Sequence, residues 1–407
     1  MGRPRSAKVL NLYITIGGAT LPSIGTLNIG GIGALFLWPL GLKLIRDNTK
    51  VSLLIALSLI SSSAVVLSYL NSPGSPSGVM QDIVIPMILC AEVVTFLHLR
   101  TSPDGYKPMS YVGIPLAVLT GTLTESAFRG SSLDWKFGVG QSVFMFLCLF
   151  AALLSQRGKS KLAAMLLFLS CLGNLFLEAR LLSFLSFTAA ILVLSFGTNR
   201  SIGRGWRASA IIGVATLAAW VAYSASASQG FLGENQYAKF TSQTDRGIAS
   251  FIFAARPELI PSFFEAIRHP IIGLGPLSNV TTTEALGVIS QVDRFTDLNP
   301  ALVSYLVTGG LHTHSIILHA SIVGGLFAAL PWAYIVLQNI RYLVALGRET
   351  QVELPVGFAW VLLSTWEVLF SPLTATSIVI VAAGLLYSFN PPKLALQDTP
   401  RIEVVSG

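Results

Sequence analysis

Charge is scarce in this chain. Only 11% of its 407 residues are Asp, Glu, Lys or Arg, against about 25% in a soluble domain. Hydrophobic residues make up 53%, and the mean hydropathy is +0.69. That balance excludes a water-soluble globule and reads as an integral membrane protein. Cysteine is scarce too. Cys90, Cys148 and Cys171 all fall inside apolar segments, which predicts buried thiols and excludes a disulfide framework. Three of the five histidines, His312, His314 and His319, crowd into one short stretch, but neither a cysteine pair nor an H-E-x-x-H pattern accompanies them, so no metal is expected. The glycine-rich 29–33 stretch lacks the lysine and Ser/Thr of a phosphate loop. There is no short repeat period and no low-complexity tract.

What the chain has instead is long apolar runs. A spanning helix needs roughly 20 apolar residues. On that basis about twelve spans are expected, near 9–26, 28–46, 51–70, 80–98, 109–125, 138–156, 160–178, 181–197, 208–226, 315–338, 353–370 and 373–389. The first span lacks the small-residue cleavage site of a signal peptide, so it reads as retained. The net charge of +7 is not a nucleic-acid signal, because the basic residues lie in short runs between apolar segments, where they encode topology. With both termini cytoplasmic, all but eight of the 26 Lys and Arg face the cytoplasm. The eight are Arg129, Lys136, Arg180, Lys239, Arg246, Arg256, Arg268 and Arg294, most of them in one long external loop. Long loops translocate largely regardless of charge.

The fold expected is thus an all-α polytopic membrane protein. It has about nine N-terminal spans over 1–226, one large external loop over 227–314, three further spans over 315–390 and a cytoplasmic tail over 391–407. That loop is periplasmic if the cell has an outer membrane. A loop so long should carry internal structure. After Arg256 and Pro257, residues Leu259, Ile260, Phe263, Phe264 and Ile267 fall on one helical face, with Glu258, Glu265 and Arg268 elsewhere. Pro261 either kinks this helix or marks its start. Such a segment should rest on the bilayer with its apolar face down. Pro270, Gly273 and Gly275 end it.

Chemistry-bearing side chains gather around this loop. Arg256 at the start of a surface helix, with the Gly273–Gly275 turn after it, offers an arginine fork and free backbone N–H groups to a phosphate; the plainer reading is an arginine snorkelling to headgroups. Arg180 sits in a very short connection, where a charge is a functional candidate by default; the plainer reading pairs it with Glu178. Arg246 is a further candidate for an anion. His312 and His314, at the outer end of the tenth span, can exchange protons near neutral pH, or simply cap a helix. His319 lies deeper and can hydrogen-bond within the bundle. Glu92 and Glu367 read as packing or solvation features.

These residues, in this order, resemble the bacterial O-antigen ligase and polymerase superfamily over about 170–340. The loop pattern is an Arg opening an amphipathic segment, then Pro270, Ile271, Ile272, Gly273, Leu274 and Gly275. It closes with His314, Ser315, Ile316, Ile317 and Leu318, then Gly325 and Leu326. Arg180 leading LLSFLSFTAA matches the earlier family feature. Ser315 replaces the usual Asn, and Ala254-Ala255 the usual Ser-Gly. The resemblance implies an inner-membrane enzyme that transfers a polysaccharide from an undecaprenyl-pyrophosphate-linked donor to a sugar hydroxyl of lipid A–core. Catalysis would invert the anomeric centre, without metal or other cofactor. Arg180 and Arg256 would hold the pyrophosphate, joined by Arg246, Gly273 and Gly275. His314 would be the general base, with His312 in reserve. The single large loop favours a ligase over a polymerase of the same superfamily, and the short tail argues against a protein O-oligosaccharyltransferase. A lipid or solute transporter is the reading from a different class, for which neither inverted repeats nor midplane charges are evident.

Overall fold

In a computed structural model of the chain, the described residues are 14–15, 32, 42–72, 76–100, 108–129, 135–197, 205–244, 259–277, 287, 313–345 and 353–389. Their secondary structure is entirely helical. In chain order the α-helices are α1 (Leu42–Asp47), α2 (Thr49–Asn71), α3 (Pro76–Arg100), α4 (Gly113–Arg129), α5 (Gly140–Gln156), α6 (Ser160–Phe176), α7 (Arg180–Gly197), α8 (Gly205–Ser228), α9 (Glu234–Thr244), α10 (Leu259–Arg268), α11 (Ile316–Ala345), α12 (Leu354–Phe370) and α13 (Ala375–Ser388). A 3-10 turn precedes α4 and a π-turn precedes α5. Each expected segment from 51–70 onward coincides with a helix; segment 9–26 lies almost wholly outside the described residues, as does most of 28–46.

Among the described residues, three helical stretches, Thr49–Asn71, Met80–His98 and Ile316–Ala345, are long and apolar enough to cross a membrane. The pattern of burial agrees. Leu59, Leu67 and Leu70 of α2, Met165 and Leu169 of α6, and Val214 and Leu217 of α8 face outward. A protein bathed in water rarely exposes apolar surface on this scale. Helix α13 is the opposite case. It is apolar all round and every one of its residues is buried, as expected of a core helix. Thr374 and Ser377 close its first turn with a reciprocal capping box, which satisfies two backbone donors. Close approach follows from small residues: a Cβ on Gly384 would collide with Ser364 of α12.

Two polar networks fix how the helices run. Lys50 at the start of α2 donates from Nζ to the Ser388 carbonyl at the end of α13 (2.8 Å), and Ser388 Oγ donates to Asn339 Oδ1 late in α11 (2.6 Å). At the other end, Asp82 in α3 joins Tyr69 near the close of α2 to His319 in α11. Helix α2 therefore runs antiparallel to α3, α11 and α13. The start of α5 joins the second group through Gln141 and Glu367, and the starts of α5 and α7 are linked to it through Lys136–Glu178 (3.9 Å) and Trp135 Nε1–Asn174 Oδ1 (2.8 Å). We call this the loop end.

Helix α11 is broken. Gly324 (φ −129°, ψ 17°) and Gly325 (φ 71°, ψ −167°) leave the helical region. In an unbroken helix the Leu326 N–H would donate to the Ile322 carbonyl. Here the turn after α10 takes both groups: Leu274 N donates to Ile322 O (2.7 Å) and Leu326 N donates to Pro270 O (2.7 Å). Gly275 N adds a bond to Val323 O (3.1 Å). The fit demands glycine on both sides. A Cβ on Gly273 (φ 80°) would stand 2.6 Å from Gly325 N, and one on Gly325 would strike the Ile271 carbonyl.

Candidate functional site

The residues between the loop and α11 form the centre of the loop end. Thr313 to Ser315 are non-helical, and α11 starts at Ile316. Ser315 caps the helix, its Oγ accepting from Leu318 N at 3.4 Å, and the same hydroxyl reaches the Val368 carbonyl of α12 at 3.5 Å. Thr313 Oγ1 lies 3.1 Å from His319 Nδ1. His319 Nε2 lies 3.0 Å from Asp82 Oδ1, and the Tyr69 hydroxyl donates to Asp82 Oδ2 at 3.0 Å. One imidazole thus bridges Asp82 of α3 and Thr313 at the start of α11, each ring nitrogen meeting one of them. His314 stands between these two tethers. It is half-buried, and its Nδ1 is shielded from solvent. A small cavity of about 20 Å³, bordered by Asp82, His319, Ser61 and Trp332, lies beneath; it has room for about one water.

Arg180 is the first residue of α7, where a helix dipole disfavours a cation. Local contacts hold it there. Its Nη2 and Nε donate to Gln236 Oε1 of α9 at 2.8 and 3.2 Å, and its guanidinium lies 5.0 Å from the Tyr223 ring centroid of α8. These two partners are neutral, and both contacts suit a planar guanidinium. Glu178, whose backbone is left-handed at φ 58°, lies 3.9 Å from Lys136, and both Arg180 and Glu178 act on the Tyr223 hydroxyl.

The glycine turn is used differently from its sequence expectation. Free N–H groups were the reason to assign Gly273 and Gly275 to a phosphate. In the structure, Gly273 N donates to His269 O (3.1 Å), and Leu274 N and Gly275 N donate to the broken α11. These donors are committed to the protein, and the glycines serve close approach. Arg246, Arg256 and His312 lie outside the described residues.

Helix α10 begins at Leu259, with Pro261 in its first turn, the second of the two readings of that proline. Its burial is inverted relative to a soluble helix. Ser262 and Glu265 are 0% and 2% exposed, whereas Phe263 and Ile267 are both 55% exposed. Glu265 receives a 2.7 Å bond from Arg268 Nη1, and Ala266 packs on Ile322 of α11.

Sequence reasoning missed Tyr69, Asp82, Gln236 and Tyr223. Asp82 was within reach, since an acid inside an apolar helix is a functional candidate by default. Glu367 was set aside as packing; it is buried and accepts from Gln141 Nε2 at 2.7 Å. Among the described residues, no three His, Cys, Asp or Glu side chains converge as a metal site would require.

Span-length apolar helices with outward apolar faces make this a helical membrane protein. No family model, curated protein or solved structure matches the chain.

Proposed function

We propose that the chain is an O-antigen ligase type glycosyltransferase. Its donor is a polysaccharide on undecaprenyl pyrophosphate, its acceptor a sugar hydroxyl of lipid A–core, and its site the loop end, on the periplasmic face of an inner membrane crossed about twelve times. The observation that carries this reading is the docking of 270–275 onto 322–326. Those are the two stretches whose spacing resembles the superfamily, and they are joined backbone to backbone. His314 precedes the second stretch, and Arg180 leads a helix that starts at the same end.

In the reaction, the acceptor oxygen attacks the anomeric carbon from the face opposite the leaving group. The bond from that carbon to the pyrophosphate oxygen breaks, and the oxygen leaves with the electron pair. His314 takes the proton of the attacking hydroxyl. Arg180, with Arg256 and Arg246 of the loop, binds the pyrophosphate and stabilises its growing charge. The bilayer accommodates the lipid tails. No step calls for a metal or nucleotide.

The test is reconstitution of the purified protein with an undecaprenyl-pyrophosphate oligosaccharide and lipid A–core, in EDTA. Saccharide on the lipid A–core band is the expected product. Longer saccharides still on the carrier would make the protein a polymerase. Neither product, with both substrates verified, would overturn the assignment.

A further inference from the structure

We infer that the turn after α10, with Ile271 and Ile272 at its tip, is inserted among the lipid acyl chains, below the level of His314 and His319. This rests on the chain's lying in a membrane and not on which reaction it catalyses.

Helix α2 serves as the ruler. Its 23 residues, Thr49 to Asn71, make about 34 Å at 1.5 Å per residue, little more than the roughly 30 Å hydrocarbon core. Both its ends therefore lie near an interface. Tyr69, two residues from the loop end of α2, is level with Asp82 and His319. Gly324 is level with Val65: a Cβ on Gly324 would stand 3.2 Å from Val65 N. Val65 is six residues before Asn71, which places it about 9 Å inside α2. The turn is bonded to the residues flanking Gly324, so it shares that depth.

The surface of the turn suits that depth. Ile271 and Ile272 are 66% and 48% exposed. They continue the outward apolar faces of α10, with Phe263 and Ile267, and of α11, with Leu326 and Phe327. Non-helical backbone survives among lipids only where its polar groups are satisfied within the protein. The break in α11 meets part of that need, its Ile322 and Val323 carbonyls accepting from Leu274 N and Gly275 N and its Leu326 N–H donating to the Pro270 carbonyl, while Gly273 N donates back to His269 O. An interfacial helix buries its apolar face by about 5–10 Å, and this turn reaches the deep end of that range while Ser262 and Glu265 of α10 pack inward.

The test is a spin label at Ile272→Cys in the full chain, in phospholipid vesicles, with C90A, C148A and C171A. Collisions with oxygen, which partitions into acyl chains, are compared with collisions with a water-soluble nickel chelate. Labels at Leu67→Cys and Leu70→Cys of α2 calibrate depth. The oxygen-to-chelate ratio at 272 is expected to match that at 67 and to exceed that at 70. A ratio at or below that of position 70 would overturn the inference. Should the cysteine-free chain not fold, a photoreactive side chain at 272 in the unaltered chain gives a second reading. Adducts to phospholipid acyl chains support insertion, and adducts to headgroups or water alone overturn it.

Discussion

Asp82 shows how a single side chain can act at a distance from the group it serves. It touches neither His314 nor any other candidate site residue. It holds His319, which holds Thr313, the neighbour of His314. Leaving largely buried hydrogen-bonding groups without their partner costs about 1–3 kcal/mol each, so Asp82→Ala is expected to lower the thermal midpoint in detergent and to reduce transfer. Asp82→Asn keeps an acceptor for His319 and should lose far less. A double-mutant cycle separates positioning from general destabilisation. His314→Ala alone is expected to cost about 10²–10⁴ in kcat, the usual worth of a general base. If Asp82 acts through His314, adding Asp82→Ala to that variant lowers the rate no further. Equal effects in both backgrounds would make Asp82 a structural residue only. Arg180 yields a second expectation at this scale. Its fork on Gln236 and its place over Tyr223 are matched by guanidinium geometry, not by an ammonium. Charge-assisted hydrogen bonds contribute about 1.5–3 kcal/mol, so Arg180→Lys and Arg180→Ala should both lower kcat/KM for the donor by about 10- to 100-fold. Restoration of donor use by lysine would mean that charge alone suffices.

At the scale of elements, the joint between the α10 turn and α11 turns on a few backbone positions. Gly325→Ala must place a side chain at φ 71° and against the Ile271 carbonyl, so the turn has to leave its seat. Gly158→Ala has a similar φ of 74° with nothing within 4 Å; it carries only the left-handed penalty of about 1–2 kcal/mol. The contrast is the test. Gly325→Ala should expose 259–277 to protease in vesicles, and Gly158→Ala should not. Equal resistance of the two variants would mean that the docked turn does not depend on this fit. Part of this joint was legible in the sequence. The periodicity of 259–267 gave the helix, and Pro270, Gly273 and Gly275 gave its end. That Gly324 and Gly325 would break α11 was not legible, because glycine is common in membrane helices and the apolar run continues through them. Nor could the sequence show that the turn's N–H groups are spent on that break. Hydrogen bonding between segments some 50 residues apart leaves no local signal. The same holds for Asp82 and His319, which share no pattern and meet only because α2, α3 and α11 pack together.

At the scale of the molecule, the polar groups are sorted into two ends, and the side of the membrane each end faces decides the chemistry. The Lys50–Ser388–Asn339 end lies with the turn between α5 and α6, which carries Arg157 and Lys159, and with Lys161 in the first turn of α6. Short basic turns of this kind are retained in the cytoplasm. In the proposed orientation, the loop end, with Arg180, His314 and the α10 turn, faces outward. Helix order and contacts fix which groups share an end, but a bundle turned over in the bilayer would keep every one of them. Sidedness is therefore open to measurement by itself. Phe231, strongly exposed just beyond α8 at the loop end, and Lys159 are suited to it. Of the native thiols, Cys90 and Cys148 are fully buried, and labelling of the unaltered chain gives the background from Cys171. In cells whose outer membrane has been made permeable, a membrane-impermeant maleimide is expected to label Phe231→Cys, and to label Lys159→Cys only after the inner membrane is opened. Undecaprenyl-linked polysaccharide awaiting transfer to lipid A–core would meet the site on the side where Phe231 lies. Labelling of Lys159→Cys with the inner membrane closed would put Arg180 and His314 in the cytoplasm. A periplasmic ligase could not work from there, whatever the geometry of its histidine.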